Sequence, residues 1–175
     1  MIFVKKDVSN VKRWKPDNQD SSVQIFSTFF CYSKINFLIL CFYFIMFSWS
    51  GKNLQVPLIA YSVGERGLIS HLLSPKFGGF FVYGSLAGNP IPGMPSLESL
   101  KEAYKLERVN EDTKVFGLIS KPVSHSKGPI LHNPSFRHVN YNGIYVPMFV
   151  DDLKEFFSTY PSPDFSGFRY VTCWY

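Results

Sequence analysis

Lys114-Val-Phe-Gly-Leu-Ile119, followed by Ser120-Lys-Pro-Val-Ser-His-Ser-Lys-Gly128 and Pro129, decides the fold. A short apolar run between polar flanks suits a buried strand. The Ser-rich stretch after it is a loop, and Pro129 fits the first turn of a helix running to about His138. Gly143-Ile-Tyr-Val-Pro-Met-Phe-Val150 reads as the next strand, with Pro147 pointing to a sheet edge or a bulge. Asp151 or Asp152 caps a helix over Leu153 to Thr159, and Phe165 to Thr172 suits a further strand. Strands alternating with helices imply parallel pairing and an α/β layout.

The same rhythm extends upstream. Val56-Pro-Leu-Ile-Ala-Tyr61 suits a buried strand, punctuated by Gly64 and Gly67. Leu68, Ile69, Leu72 and Leu73 fall at helical spacing, and Pro75 ends that helix. Phe80-Phe-Val-Tyr83 reads as a strand closed by Gly84. Ala87 to Pro95 is too rich in Pro and Gly for regular structure. Ser96 is a good N-cap for a helix over Leu97 to Leu106. Leu97, Leu100 and Tyr104 then share one face, with Glu98, Lys101 and Glu102 outside.

Residues 1–55 have a different texture. Lys5-Lys6 and Lys12-Arg13-Trp14-Lys15 precede a polar stretch and then the apolar run Phe37 to Phe47. That run is about half the length a bilayer span needs. It starts far from the N-terminus for a signal core and has no clear Ala-x-Ala site, and Asp7, Asp17 and Asp20 argue against a transit peptide. Its excess of Phe, Ile, Tyr, Lys and Asn fits translated A/T-rich non-coding DNA. That reading is preferred over a targeting or membrane role.

Composition bounds the function classes. The chain has 175 residues, of which 46% are hydrophobic and only 18% charged, so a core is affordable and wholesale disorder is excluded. The net charge of +5 comes without a Lys/Arg stripe, which argues against a nucleic-acid partner. Three cysteines without a CxxC argue against a disulfide framework and point to a reducing compartment.

The sharpest chemical feature is Ser124-His125-Ser126-Lys127-Gly128-Pro129. Hydroxyls and free N–H groups at a helix start favour a carboxylate or phosphate, and an ordinary capping loop is the plainer alternative. His125 and Ser126 are adjacent and rarely face one another, so they do not read as a base and nucleophile. His125, His132 and His138 are poorly spaced for a metal. There is no Gly-x-Gly-x-x-Gly, and Ser85 after Gly84 rules out a phosphate-binding P-loop there.

Longer stretches carry a resemblance. They are Val56 to Gly67, Leu72-Leu-Ser-Pro-Lys-Phe-Gly-Gly79, Asp112-Thr-Lys-Val-Phe-Gly117 and Lys121-Pro-Val-Ser-His-Ser-Lys-Gly-Pro129. Leu131-His-Asn-Pro134, Asn142-Gly-Ile-Tyr-Val146 and Asp164-Phe-Ser-Gly-Phe168 follow in the same order. In these the chain resembles the plant bifunctional 3-dehydroquinate dehydratase/shikimate dehydrogenase family. The resemblance implies the tail end of a type I dehydroquinase (β/α)8 barrel over 56–107. The start of the shikimate dehydrogenase substrate-binding α/β domain follows over 113–168. Residues 1–55, irregular or helical, and the tail 169–175 stand unmatched.

The resemblance also implies which chemistry is kept. The dehydratase's Schiff-base Lys and acid–base His lie upstream of the matching text. An Arg among its substrate contacts falls on His71, and a Ser and a Gln fall on Pro90 and Met94. A polar site stripped of its partners loses recognition heavily. The dehydrogenase family grips the substrate carboxylate with a Ser-x-Ser pair. Here the first position is Ser126 and the second is Gly128, which removes a hydroxyl and gives space, as in a quinate dehydrogenase-like branch. The family's catalytic Lys and Asp and its NADP-binding domain would follow Phe168, and Arg169 to Tyr175 does not continue that text.

The expectation is therefore a truncated member of the family. It binds a shikimate- or quinate-like acid through Ser126 and Gly128, without catalytic residues, metal or bound NADP of its own. A plastid location is implied by the resemblance alone. A non-catalytic acid-binding fragment, membrane-associated through Phe37 to Phe47, is the alternative, and a faulty gene model is a third reading.

Overall fold

The computed structural model describes residues 2–5, 61, 64–79, 81–86, 94–123, 126–159 and 165–171. The apolar run at 37–47, the expected strand at 56–61 apart from Tyr61, Pro90, and the loop residues Ser124 and His125 lie outside the described residues.

Three strands form the central sheet. They are β3 (Lys114–Ser120), β4 (Gly143–Phe149) and β5 (Phe165–Val171), in the order β4-β3-β5 and all parallel. Parallel neighbours need crossovers, and helices α2 (Gly128–His138) and α3 (Leu153–Thr159) supply them. From β3 the chain first steps to one side, then crosses back to the other. Right-handed crossovers in opposite directions send the two helices to opposite faces of the sheet.

Side-chain contacts agree with that division. Phe116 stacks near Phe136 of α2, with ring centroids 5.1 Å apart. Its neighbour Val115 points the other way, into a core with Ile119, Ile144, Val146, Met148 and Phe156 of α3. β3 and β4 are buried almost throughout, as strands covered on both faces should be. Pro147 sits in register with Leu118 on an edge strand, where a missing N–H is tolerated. The bulge falls elsewhere: Val115 pairs Phe165 and Phe116 pairs Gly167, so Ser166 is the extra residue.

The upstream part joins the same core. A 3-10 turn, Glu65–Gly67, leads into α1 (Leu68–Leu73), whose Ile69, Leu72 and Leu73 are buried with the sheet residues. Pro75 lies just beyond α1, as expected. Strand β2 (Phe81–Gly84) follows. It pairs antiparallel with β1 (Ile2–Lys5), Ile2 facing Gly84 and Lys5 facing Phe81. This corrects one expectation, that the first residues would be irregular or helical; the segment expected to neighbour β2 in parallel, 56–61, lies outside the described residues apart from Tyr61. A strand edge takes whichever extended segment reaches it, and local patterning does not name the partner.

The helix expected over Leu97 to Leu106 is shorter and looser. Ser96 does cap it, its Oγ accepting the Ser99 N–H at 3.0 Å. The turn then widens to a π-helix over Ser99–Ala103. Lys105, in the left-handed region at φ 48, breaks it before a 3-10 turn at Leu106–Arg108. Leu100 is still buried and Glu98, Lys101 and Glu102 still face outward.

Polar contacts also tie the upstream part to the segments flanking the sheet. Lys76 Nζ donates to the Glu111 carbonyl at 2.6 Å. Asp151 accepts from Arg66 and lies 2.7 Å from Lys121 Nζ. Asp152 caps α3, taking the Lys154 and Glu155 N–H groups at 2.8 and 3.0 Å. Among the described residues no helix is long and apolar enough to cross a membrane.

Candidate functional site

The order β4-β3-β5 puts a topological switch point at β3. Open α/β sheets bind ligands in the crevice beyond the carboxyl ends of strands at such a point. A cleft of about 630 Å³ lies there. The register explains its lining. Leu118 and Ser120 of β3 alternate onto the α2 face, opposite Arg169 and Val171 of β5. Tyr145 of β4 pairs Phe116 and points to the same face. The end of the loop, Ser126 and Lys127, and the start of α2, with Gly128, Ile130, Leu131 and His132, close the cleft.

Both sequence-derived site residues stand at that opening. The Ser126 hydroxyl accepts the Gly128 N–H at 3.1 Å, and Pro129 follows as the first-turn proline. The helix start brings partial positive charge to the spot. Lys127 is exposed beside it, and Arg169 faces it from β5. Among the described residues the lining holds cations and no carboxylate. Such a concavity suits an anion on an otherwise apolar body.

The space expected beside Gly128 is filled. A Cβ at that position would stand 2.8 Å from Tyr145 Cε1 and 3.2 Å from Ser126 Oγ. Real side chains do not approach so closely, so glycine here is what lets the Tyr145 ring pack against the start of α2. His132 flanks the same ring, with centroids 4.5 Å apart.

Tyr145 is the residue that sequence reading missed. Its side chain is buried, and its hydroxyl has no hydrogen-bond partner among the described residues. An unpaired buried hydroxyl costs about 1–3 kcal/mol. Burial raises the phenol's pKa above the ordinary 10.0, and the nearby Arg169 charge works against that rise. The strand's uniform apolarity hid Tyr145. The signal was present in its phase, two residues after Gly143 and on the face that meets the α2 start.

Asn133 holds that arrangement. It is buried on α2, accepts the Tyr145 N–H at 2.7 Å and donates to the Tyr145 carbonyl at 3.1 Å. His71 lies away from the cleft, buried in α1 with its ring 4.9 Å from that of Tyr61. Met94 is half-buried and does not line the cleft.

Two family profiles match the chain in succession: type I 3-dehydroquinase over residues 44–111, and the shikimate dehydrogenase substrate binding domain over residues 118–173. A bifunctional 3-dehydroquinate dehydratase/shikimate dehydrogenase, chloroplastic, from Arabidopsis thaliana is 48% identical over 116 residues. That alignment covers 65% of this chain and 19% of the Arabidopsis protein. The shikimate biosynthesis protein AroDE of Chlamydia pneumoniae is 31% identical over 120 residues, covering 66% of this chain and 25% of its own. The solved dehydroquinate dehydratase and shikimate dehydrogenase from S. pombe AroM aligns at 23% identity and a TM-score of 0.34. It covers 86% of this chain and 27% of that one. The chain thus spans a fifth to a quarter of the length of these curated relatives.

Proposed function

We propose that this chain is a member of the bifunctional 3-dehydroquinate dehydratase/shikimate dehydrogenase family, which it resembles along two successive segments, and that its cleft binds a cyclic polyol carboxylate of the shikimate type. One observation carries the reading. Ser126 and Gly128, the positions that match the family's carboxylate grip, stand at the α2 start on the wall of a cationic switch-point cleft. The carboxylate would meet the Ser126 hydroxyl and the positive end of α2, and the ring would fill the cleft against Leu118 and Leu131. The segments concerned are proposed as 56–107 for the dehydroquinase part and 113–168 for the substrate-binding part.

Gly128 favours quinate over shikimate in this proposal. Quinate carries a hydroxyl on the tetrahedral carbon that bears its carboxylate, and shikimate is planar there. A position without a side chain leaves more freedom for the bulkier acid. Because the Tyr145 ring already leans on Gly128, that freedom depends on where the ring sits.

NADP is the dinucleotide that family chemistry would supply, accepting or giving a hydride when bound. The residues here do not fit it. The turn from β3 into α2 holds no Gly-rich phosphate cradle, and Ser120 to Gly128 is occupied with the proposed carboxylate grip. Nor does any residue among 1–175 match the family's catalytic Lys–Asp pair or its Schiff-base Lys. We propose that the 175-residue polypeptide binds the ring acid and turns over neither substrate. A plant origin and a plastid location accompany the family resemblance and the Arabidopsis relative's name.

Calorimetric titration of the 175-residue chain with quinate and shikimate tests the proposal. Binding of at least one acid is expected, with Gly128→Ser shifting preference toward shikimate. No binding of either rejects the function, and an unshifted preference rejects the quinate branch. NADP reduction by the purified chain in the presence of either acid overturns the non-catalytic reading.

A further inference from the structure

Position 128 lacks a hydroxyl, yet the cleft does not lack a donor nearby. The ring of Tyr145 occupies the space that a side chain at 128 would need, 2.8 Å from where its Cβ would stand. The Tyr145 hydroxyl is buried and has no partner among the described residues. Arg169 lines the same cleft from β5, on the same face of the sheet, and is exposed. A neutral phenol donor packed against the helix start and a guanidinium fork on β5 line one cleft, and together they make a receptor for a carboxylate.

We infer that Tyr145 and Arg169 form the second half of the carboxylate grip, supplying from the sheet the hydrogen bonds that Gly128 cannot supply from the loop. This rests on the proposed binding of a ring acid and adds the residues that decide its affinity. Three features support it. A phenol is protonated at neutral pH, so the Tyr145 hydroxyl can donate to an anion. The Asn133 bonds fix the Tyr145 backbone, so its ring is held in place before a ligand arrives. His132 packs on the ring from the α2 side and limits its swing.

Titration of the 175-residue chain, followed through the Gly128 amide resonance, tests this with quinate, shikimate and benzoate as a ring carboxylate without hydroxyls. Tyr145→Phe removes one oxygen, and Arg169→Gln changes an exposed side chain, so both variants should fold, and their spectra report it. Each is expected to weaken binding of all three acids about tenfold or more, as for hydrogen bonds to a charged group. Arg169→Lys should recover part of the loss. If quinate or shikimate binds the parent chain and both variants within twofold, the Tyr145–Arg169 grip is wrong and the ring-acid function stands. If benzoate binds and is lost in both variants while quinate and shikimate never bind, the grip stands and the polyol reading is wrong. If no acid binds at millimolar concentration, both are overturned.

Discussion

Asn133 and Tyr145 exchange two hydrogen bonds, side-chain amide to backbone, across the open edge of β4. The amide offers one acceptor and one donor, and so stands in for the neighbouring strand that the edge lacks among the described residues. A buried edge N–H and carbonyl would otherwise go unpaired. One polar residue on α2 therefore both closes the sheet and sets where the Tyr145 ring meets the cleft.

Asn133→Leu keeps the volume and removes both bonds. The backbone groups left behind are buried, so the cost is about 2–4 kcal/mol, more than two ordinary hydrogen bonds exposed to water. Urea denaturation should show that loss in the midpoint. Asn133→Asp keeps the acceptor for the Tyr145 N–H but sets a carboxylate against a carbonyl, and should be destabilised at neutral pH and partly recover in acid.

Gly128 and Tyr145 should behave as a coupled pair. Alanine at a helix start is ordinarily favoured over glycine by a few tenths to about 1 kcal/mol. Here the added carbon meets the ring at 2.8 Å, so Gly128→Ala should instead destabilise by about 1–3 kcal/mol, the usual cost of overpacking. In a Tyr145→Ala background the clash is gone, and the same substitution should be neutral or stabilising. A double-mutant cycle in urea reads the change of sign.

Much of this was legible because the signals were local. Pro75 and Pro129 mark the helix boundaries at α1 and α2, Ser96 and Asp152 cap where capping chemistry says they should, and Pro147 lies on an edge strand. What was not legible depends on partners distant in sequence. Nothing in Ile2–Lys5 names Phe81–Gly84 as its neighbour. The widened turn at Ser99–Ala103 departs from a good helical pattern that carries no local signal for it. Ser126 and Gly128 could be picked out from text, whereas Tyr145, Asn133 and Arg169 acquire meaning only when the β4-β3-β5 register brings them onto the α2 face.

The neighbouring aspartates divide the work between capping and pairing. Asp152 takes two backbone N–H groups at the start of α3, so Asp152→Ala should cost about 1 kcal/mol. Asp151 pairs with Arg66 and Lys121 at the surface, where water and salt screen the charges. Asp151→Ala should cost less than about 1 kcal/mol and should cost less still in high salt. Thermal unfolding in low and high salt separates the two, since the capping loss is the less salt-sensitive.

Alkaline pH should loosen the core through Tyr104. Its phenol is pushed far above 10.0 by burial between the turn at Ser99–Ala103 and the core. Tyr61, Tyr83 and Tyr145 are raised for the same reason, Tyr83 also by Tyr61. A raised folded pKa means that the folded state holds its proton when the unfolded chain has released it. The contribution is whole below the unfolded value of about 10 and shrinks as pH climbs from there through the folded value. Stability should therefore fall steeply above pH 10, and Tyr104→Phe, which cannot ionise, should flatten the fall. Every other ionisable group is common to both proteins, so the difference between the two melting-temperature curves isolates Tyr104. Equal slopes would show that its hydroxyl already reaches water in the folded chain.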